Sequence, residues 1–130
     1  MITALYASLL AILLFILSIR VIGLRGNPIF SFIAQGKGDD EMLQRAIRAH
    51  GNFTEYVPTM LMLLFLLERS GVADMKLHAL AAAFFVGRVM HGICMGFMRS
   101  SMPLRVGGTA LTLLPLAAAA VALLMQTLQG

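Results

Sequence analysis

The chain has 130 residues and a mass of 14.1 kDa; 59% of its residues are hydrophobic, 12% are charged, and its mean hydropathy is +0.87. Soluble domains carry about 25% charged residues, and a fold of this length leaves about 30% of its unfolded-chain surface exposed. A water-soluble domain is therefore excluded, because water would meet too much apolar surface. The length allows one domain, over residues 1–130.

The net charge of +4 comes from basic residues that lie between apolar segments. A nucleic-acid-binding domain instead gathers its basic residues on one face or tail. The pattern favours a membrane as the partner and not a nucleic acid. The single cysteine, Cys94, excludes an internal disulfide and a cysteine-rich metal site, and no metal is expected.

Four apolar segments are long enough to cross a bilayer as helices. A crossing needs about 20 residues, because a helix rises about 1.5 Å per residue and the hydrocarbon core is about 30 Å thick. No basic residue precedes the first apolar run, so a signal peptide is not expected. An all-α transmembrane four-helix bundle is predicted, with spans at about 1–22, 45–68, 76–98 and 106–128.

The second helix is expected to begin before it enters the membrane. Asp39 or Asp40 can cap its N-terminus, and acidic residues fill its first turn. Pro58 lies where the helix crosses the bilayer. Because proline removes a backbone donor and crowds the preceding turn, a kink is predicted there.

Polar side chains in the second helix lie where lipid is expected. At about 100° per residue, Arg48, Asn52 and Glu55 share a stripe about 60° wide. Ionisable residues in a membrane cost about 2.5 to 3.5 kcal/mol each on insertion scales, so they usually face protein or water and mark a functional path. The alternative is that Arg48 and Glu55 form an ion pair that ties helices together.

The third helix adds Arg88 and His91, which are neighbours three residues apart. Arg88 can pair with Glu55 across the helices. In the alternative interpretation, Arg88 only neutralises Glu55 and His91 is an interfacial residue with satisfied hydrogen bonds. Cys94 is interpreted as a packing residue, because no base or metal ligand is patterned around it.

The turn from Arg99 to Arg105 leads into the fourth helix. Such a basic turn either contacts headgroups or places an arginine over a pocket that binds an anion. The first and third loops carry seven basic residues and the second carries two, which predicts that loops 20–45 and 99–105 are cytoplasmic and that both termini are outside.

The run from Arg48 to Pro58 resembles the second-helix signature of the MAPEG family, the membrane-associated proteins in eicosanoid and glutathione metabolism. Gly87–His91, and Arg105 followed by Gly107-Gly108, resemble the third helix and last cytoplasmic turn of its bacterial branch. The resemblance covers essentially the whole chain. It implies a homotrimer in the bacterial inner membrane, with glutathione bound between neighbouring subunits near the cytoplasmic side.

The resemblance also implies roles for individual residues. Arg105 matches the arginine that stabilises the glutathione thiolate and is the expected catalytic residue, although Arg99 can take this place in the alignment. His91 stands where eukaryotic members have a tyrosine. The residues expected to bind glutathione are Arg48, Asn52, Glu55, Tyr56, Arg88 and His91.

The function implied is that of a glutathione-dependent transferase or peroxidase, which acts on lipophilic electrophiles or hydroperoxides that arrive from the bilayer. A non-catalytic MAPEG-like protein that binds glutathione or lipid is the alternative. A small four-helix multidrug exporter is disfavoured, because that class needs an acid in its first span and residues 1–19 contain none.

Overall fold

A computed structural model describes residues 1–99 and 101–130; position 100, in the basic turn, lies outside the described residues. The described residues form four long helices and one short turn of 3-10 helix, with no strand. The all-α prediction is confirmed. The elements are α1 (Ile2–Leu24), a 3-10 turn (Ser31–Ile33), α2 (Asp40–Arg69), α3 (Asp74–Phe97) and α4 (Met102–Gln129).

Three helices in the described part of the chain are long and apolar enough to cross a membrane: α1, α4 and the Asp74–Gly96 part of α3. The segment 45–68 lies within α2, which is not among them. The physical reason is that the first half of α2 carries charged residues and its hydropathy falls accordingly. Its crossing of the bilayer stays a prediction.

The N-terminus of α2 is capped by Asp39, one of the two residues expected there. Its carboxylate accepts hydrogen bonds from the backbone amides of Glu41 at 3.0 Å and Met42 at 3.3 Å. These bonds satisfy amides that have no partner within the helix. The helix then runs without interruption through Pro58 to Arg69.

The larger of two apolar clusters lies between the four helices, and a smaller one joins the end of α1 to the start of α2. The larger cluster joins residues from each helix. Its fully buried large side chains include Leu10 and Leu17 of α1, Phe53, Met60 and Leu64 of α2, and Leu77 and Phe84 of α3. Ala119 represents α4, whose outer face is almost entirely exposed and apolar.

Two glycines bring α3 and α4 into direct backbone contact. A Cβ on Gly87 would lie 2.7 Å from the backbone carbonyl carbon of Leu111, and one on Gly108 would lie 2.8 Å from the backbone nitrogen of His91. Any larger residue would force the helices apart. This close approach lets short side chains of α4 reach the polar groups of α3.

The C-terminal end of α3 is fixed to α2 by Arg45. Its Nε donates to the carbonyl of Met98 at 2.8 Å, and its Nη2 donates to the carbonyl of Cys94 at 2.8 Å. Terminal helix carbonyls lack intrahelical partners, so these bonds cap α3. Cys94 is buried, and its thiol donates to the carbonyl of Ser101 at 3.4 Å, in keeping with a packing role.

Candidate functional site

Two adjoining cavities open between α2, α3 and α4, and we call them together the polar cleft. The inner cavity, of about 40 Å³, is lined by Asn52, Tyr56, Arg88, His91, Thr109, Thr112 and Leu113. The outer groove, of about 360 Å³, is lined by Arg48, Gly51, Asn52, Glu55, His91 and Met95. Asn52 and His91 line both. The polar cleft therefore brings together all six residues expected to bind glutathione.

Arg88 lies at the inner wall of the cleft and is 1% exposed. Its Nη1 donates to Thr112 Oγ1 and its Nη2 to His91 Nδ1, both at 3.3 Å. The guanidinium carbon lies 5.7 Å from the ring centroid of Phe53 and 5.9 Å from that of Tyr56. These rings attract the cation through their π faces. Arg88 is thus held in place by neutral groups alone.

The charges on α2 do not neutralise one another or Arg88. Among residues 1–99 and 101–130, Glu55 forms no ion pair with Arg48 or Arg88. The interpretations in which Glu55 pairs with either arginine are therefore not supported within one chain. The side chains of Arg48 and Glu55 are exposed on the wall of the outer groove. Ionisable side chains in a membrane segment need polar surroundings, so Arg48 and Glu55 are available to contact a ligand or another chain.

Two buried polar atoms in the polar cleft lack a hydrogen-bond partner within the described residues: Nε of Arg88 and Oδ1 of Asn52. A buried polar group without a partner costs about 1 to 3 kcal/mol, and more when it is charged. A bound molecule that offers an acceptor to Arg88 and a donor to Asn52 would recover this cost. The cleft is accordingly built to receive a polar ligand.

The hydrogen bond from Arg88 fixes the state of the His91 ring. A guanidinium can only donate, so Nδ1 of His91 is the acceptor in this bond. The imidazole is therefore neutral and carries its proton on Nε2. Because His91 lines both cavities, it can offer this N–H to a molecule bound at their junction.

The two candidate catalytic arginines are in different situations. Arg99 forms ion pairs with Asp39 and, at 3.2 Å, with Glu41. Arg105 is exposed in the first turn of α4 and makes no ion pair within residues 1–99 and 101–130. It lines neither cavity, and it lies one helical turn before Gly108, which contacts the backbone of His91. The structure does not place Arg105 in the polar cleft.

Sequence reasoning missed the contribution of α4 to the cleft. Thr109 and Thr112 are three residues apart on a helix and follow Gly107-Gly108 directly. A pair of hydroxyls in an otherwise apolar span, beside glycines that permit close packing, was the available signal. It was overlooked because periodicity does not tell which face of an apolar helix meets which neighbour.

Comparison with known proteins identifies a matching family and two similar relatives. The MAPEG family model matches residues 3–125. Two similar relatives are the inner membrane protein YecN of Escherichia coli strain K12 and of Escherichia coli O6:H1 strain CFT073. Each is 38% identical over 91 residues, which cover 70% of this chain and 67% of the relative. No solved structure matches the chain.

Proposed function

Since the chain belongs to the MAPEG family, we propose that it binds glutathione in the polar cleft and uses the thiol against lipophilic electrophiles or hydroperoxides. The observation that carries this proposal is that Nε of buried Arg88 and the amide oxygen of Asn52 both lack a hydrogen-bond partner within the described residues. Both atoms belong to residues that line the inner cavity. A ligand that has both acceptors and donors would satisfy these two atoms.

Glutathione has the complementary groups, with two carboxylates, one ammonium and two peptide units. Arginines form forked, charge-assisted bonds with carboxylates, so Arg48 and Arg88 are assigned to the two acids. Glu55 is assigned to the ammonium. Asn52, Tyr56 and His91 can bond or pack against the peptide units. The outer groove of about 360 Å³ lies within the usual range of small-molecule sites, about 300 to 1,000 Å³.

The reaction starts from the thiolate, which is the nucleophilic form of the tripeptide. A free thiol has a pKa of about 8.5, and a nearby guanidinium lowers that pKa because it stabilises the anion. Arg105 is assigned this role. In conjugation the thiolate sulfur forms a bond to carbon as the leaving group departs. In peroxide reduction two glutathiones give a disulfide, while the hydroperoxide becomes an alcohol and water.

A homotrimer is part of the proposal. Arg48 and Glu55 are exposed in a single chain, although charged groups at membrane depth need polar surroundings. A neighbouring copy would cover them and complete the cleft. Sedimentation equilibrium in detergent is expected to give three chains per particle, and a stable monomer at working concentrations would rule out a shared site. We also assign the polar cleft to the cytoplasmic side of an inner membrane.

A non-catalytic protein that binds glutathione or lipid in the same cleft is the second candidate. The observation in its favour is that Arg105 lines neither cavity. Such a protein would hold the ligand with the same residues of α2 and α3. It would leave the ionisation of the thiol unchanged.

Ultraviolet difference spectroscopy separates the two candidates. On the proposal, glutathione added at neutral pH gives the absorbance of a bound thiolate, and Arg105→Ala removes this signal while calorimetry still detects binding. Arg99→Ala is measured in parallel, because Arg99 is the alternative match for this arginine; its guanidinium is tied to Asp39 and Glu41, so the signal should persist. Loss of the signal in Arg99→Ala and not in Arg105→Ala would assign the thiolate to Arg99. S-methylglutathione should bind without the signal. Binding of glutathione with neither thiolate absorbance nor turnover of a hydroperoxide would favour the second candidate.

A further inference from the structure

The loop between α1 and α2 carries large apolar side chains on its surface, outside the polar cleft. Ile29 is 73% exposed and Phe32 is 72% exposed. Phe30 is half-buried, with its ring centroid 6.4 Å from that of Phe32. A group of exposed apolar side chains marks a surface that contacts another protein or a membrane.

Backbone hydrogen bonds hold this loop in an ordered turn. Successive bonds join residues three apart: the amide of Ser31 to the carbonyl of Pro28 at 3.4 Å, and the amide of Ile33 to the carbonyl of Phe30 at 3.2 Å. Phe32 lies in the 3-10 turn Ser31–Ile33, and Ile29 lies in the preceding turn that the bond between Ser31 and Pro28 closes. Both exposed side chains are therefore carried by an ordered, hydrogen-bonded backbone.

The turn is held beside the last turns of a membrane helix. Arg20 of α1 is fully buried and donates from Nη1 to the carbonyl of Ile33 at 2.7 Å, and from Nε to the carbonyl of Gly96 at 2.9 Å. A Cβ on Gly23 would lie 2.5 Å from the carbonyl oxygen of Phe30. Arg20 lies four residues before the end of α1, which is about 6 Å along the axis. The loop therefore folds back beside the last turn of α1.

Basic residues flank the apolar turn. Arg25 and Lys37 are exposed, and Lys37 Cε lies 3.8 Å from the position of a Cβ on Gly26. The side chain of Lys37 thus returns to the residue after Arg25. Of the nearby acids, Asp39 and Glu41 are paired with Arg99, and Asp40 is exposed at the start of α2. Within residues 1–99 and 101–130, neither Arg25 nor Lys37 forms an ion pair. Apolar side chains beside such basic ones are typical of segments that lie in a lipid interface.

We propose that residues 29–33 form a lipid anchor on the leaflet at this end of the bundle. Ile29 and Phe32 insert among the upper acyl chains, while Arg25 and Lys37 bind the phosphates of anionic lipids. The bilayer is favoured over a protein partner because Arg20 holds the turn beside the end of α1, a helix that is long and apolar enough to cross a membrane. The proposal is independent of glutathione.

Tryptophan fluorescence in nanodiscs tests the anchor, because the chain has no tryptophan of its own. Phe32→Trp is placed in discs of anionic phosphatidylglycerol that carries bromine either near the headgroup end or near the methyl end of its acyl chains. The anchor predicts blue-shifted emission that shallow bromine quenches more strongly than deep bromine. Phe15→Trp, at a 62% exposed site within α1, should respond more to deep bromine. Asp40→Trp, at the start of α2, should be quenched by neither.

The headgroup contact is tested with the double substitution Arg25→Gln and Lys37→Gln. In the parent protein, brominated phosphatidylglycerol should be enriched around Phe32→Trp over brominated phosphatidylcholine, on the order of fivefold for each basic residue in contact. The double variant should abolish this preference. Arg69→Gln with Lys76→Gln is the matched control, since it removes the same charge from exposed positions on either side of the α2–α3 connection and should leave the preference intact.

Two results would overturn the anchor. Water-like emission of Phe32→Trp that no brominated lipid quenches would place the turn in solvent. Blue-shifted emission without quenching would show that protein covers it. Equal quenching by anionic and zwitterionic lipid in the parent protein would overturn the assignment of Arg25 and Lys37 to phosphates.

Discussion

Arg20 and Arg88 are both 1% exposed, yet their guanidinium groups meet different kinds of partner. Arg20 donates to two backbone carbonyls and lies 4.9 Å from the ring centroid of Phe97, at the end of the bundle where the first loop folds back. Arg88 donates to side chains, those of Thr112 and His91, and lines the polar cleft. A buried arginine bonded to backbone fixes the chain path, whereas one that is bonded to side chains beside a cavity remains available to a ligand.

Neither arginine forms an ion pair with an acid within residues 1–99 and 101–130. Each also leaves one buried nitrogen without a partner, Nη2 of Arg20 and Nε of Arg88. The decisive difference is the space beside the group, since only Arg88 of the two lines a described cavity. The comparison predicts that substitution of Arg20 affects folding and that substitution of Arg88 affects binding.

The largest effect is expected for Arg20→Ala. The substitution removes two charge-assisted bonds and leaves the carbonyls of Ile33 and Gly96 without this donor, so the free energy of unfolding should fall by about 3 kcal/mol or more. Chemical denaturation in detergent measures it. Arg25→Ala, at an exposed position, should change stability by no more than about 0.5 kcal/mol. Equal stability of the two variants would break the assigned role of Arg20.

Arg88→Ala is expected to weaken glutathione binding by about 1.5 to 3 kcal/mol, because a charge-assisted bond to a carboxylate is lost. Arg48→Ala and Glu55→Ala should have effects of the same order. Calorimetry on the folded variants measures these changes. Arg88→Lys should recover only part of the affinity, since an ammonium lacks the fork of the guanidinium. Unchanged affinity in all three alanine variants would return these residues to a structural role.

A smaller effect is expected for Thr112→Val, which keeps the shape of the side chain but removes the acceptor for Nη1 of Arg88. Glutathione affinity should fall by about 1 kcal/mol, because the guanidinium is then less well positioned. Thr112 also donates from its hydroxyl to the carbonyl of Gly108, four residues earlier, at 2.7 Å. Thr127→Val is the matched control, since Thr127 donates in the same way to the carbonyl of Leu123 at 2.8 Å and is exposed near the end of α4. A similar loss in both variants would mean that Thr112 does not act through Arg88.

The sequence predicted the α2 and α3 walls of the polar cleft because their residues share helical faces. Arg48, Asn52 and Glu55 fall on one stripe, and Arg88 and His91 are three residues apart. The expected ion pairs of Glu55 with Arg48 or Arg88 are not found within residues 1–99 and 101–130. Which residues meet across helices depends on how neighbouring helices are rotated and aligned, and helical periodicity within one segment does not fix either.

The contacts of both buried arginines depend on which segments pack together, and this could not be predicted from the sequence. Arg20 contributed only to the charge count of the first loop, since nothing in its neighbourhood indicates burial against Gly96 and Ile33. The bond of Arg88 to Thr112 depends on the backbone contact of α3 and α4 at Gly87 and Gly108. The glycines were visible in the sequence, but the pairing of the two helices was not.

The central claim is that Arg88 belongs to a ligand site and Arg20 to the fold. Unfolding measured with and without glutathione tests both halves together, because a ligand present at 100 times its dissociation constant stabilises the folded state by about 2.7 kcal/mol. The account predicts that the parent protein and Arg20→Lys gain this stabilisation, while Arg88→Ala gains little at the same ligand concentration. A parent protein that glutathione does not stabilise, or an Arg88→Ala variant that it stabilises equally, would contradict the claim.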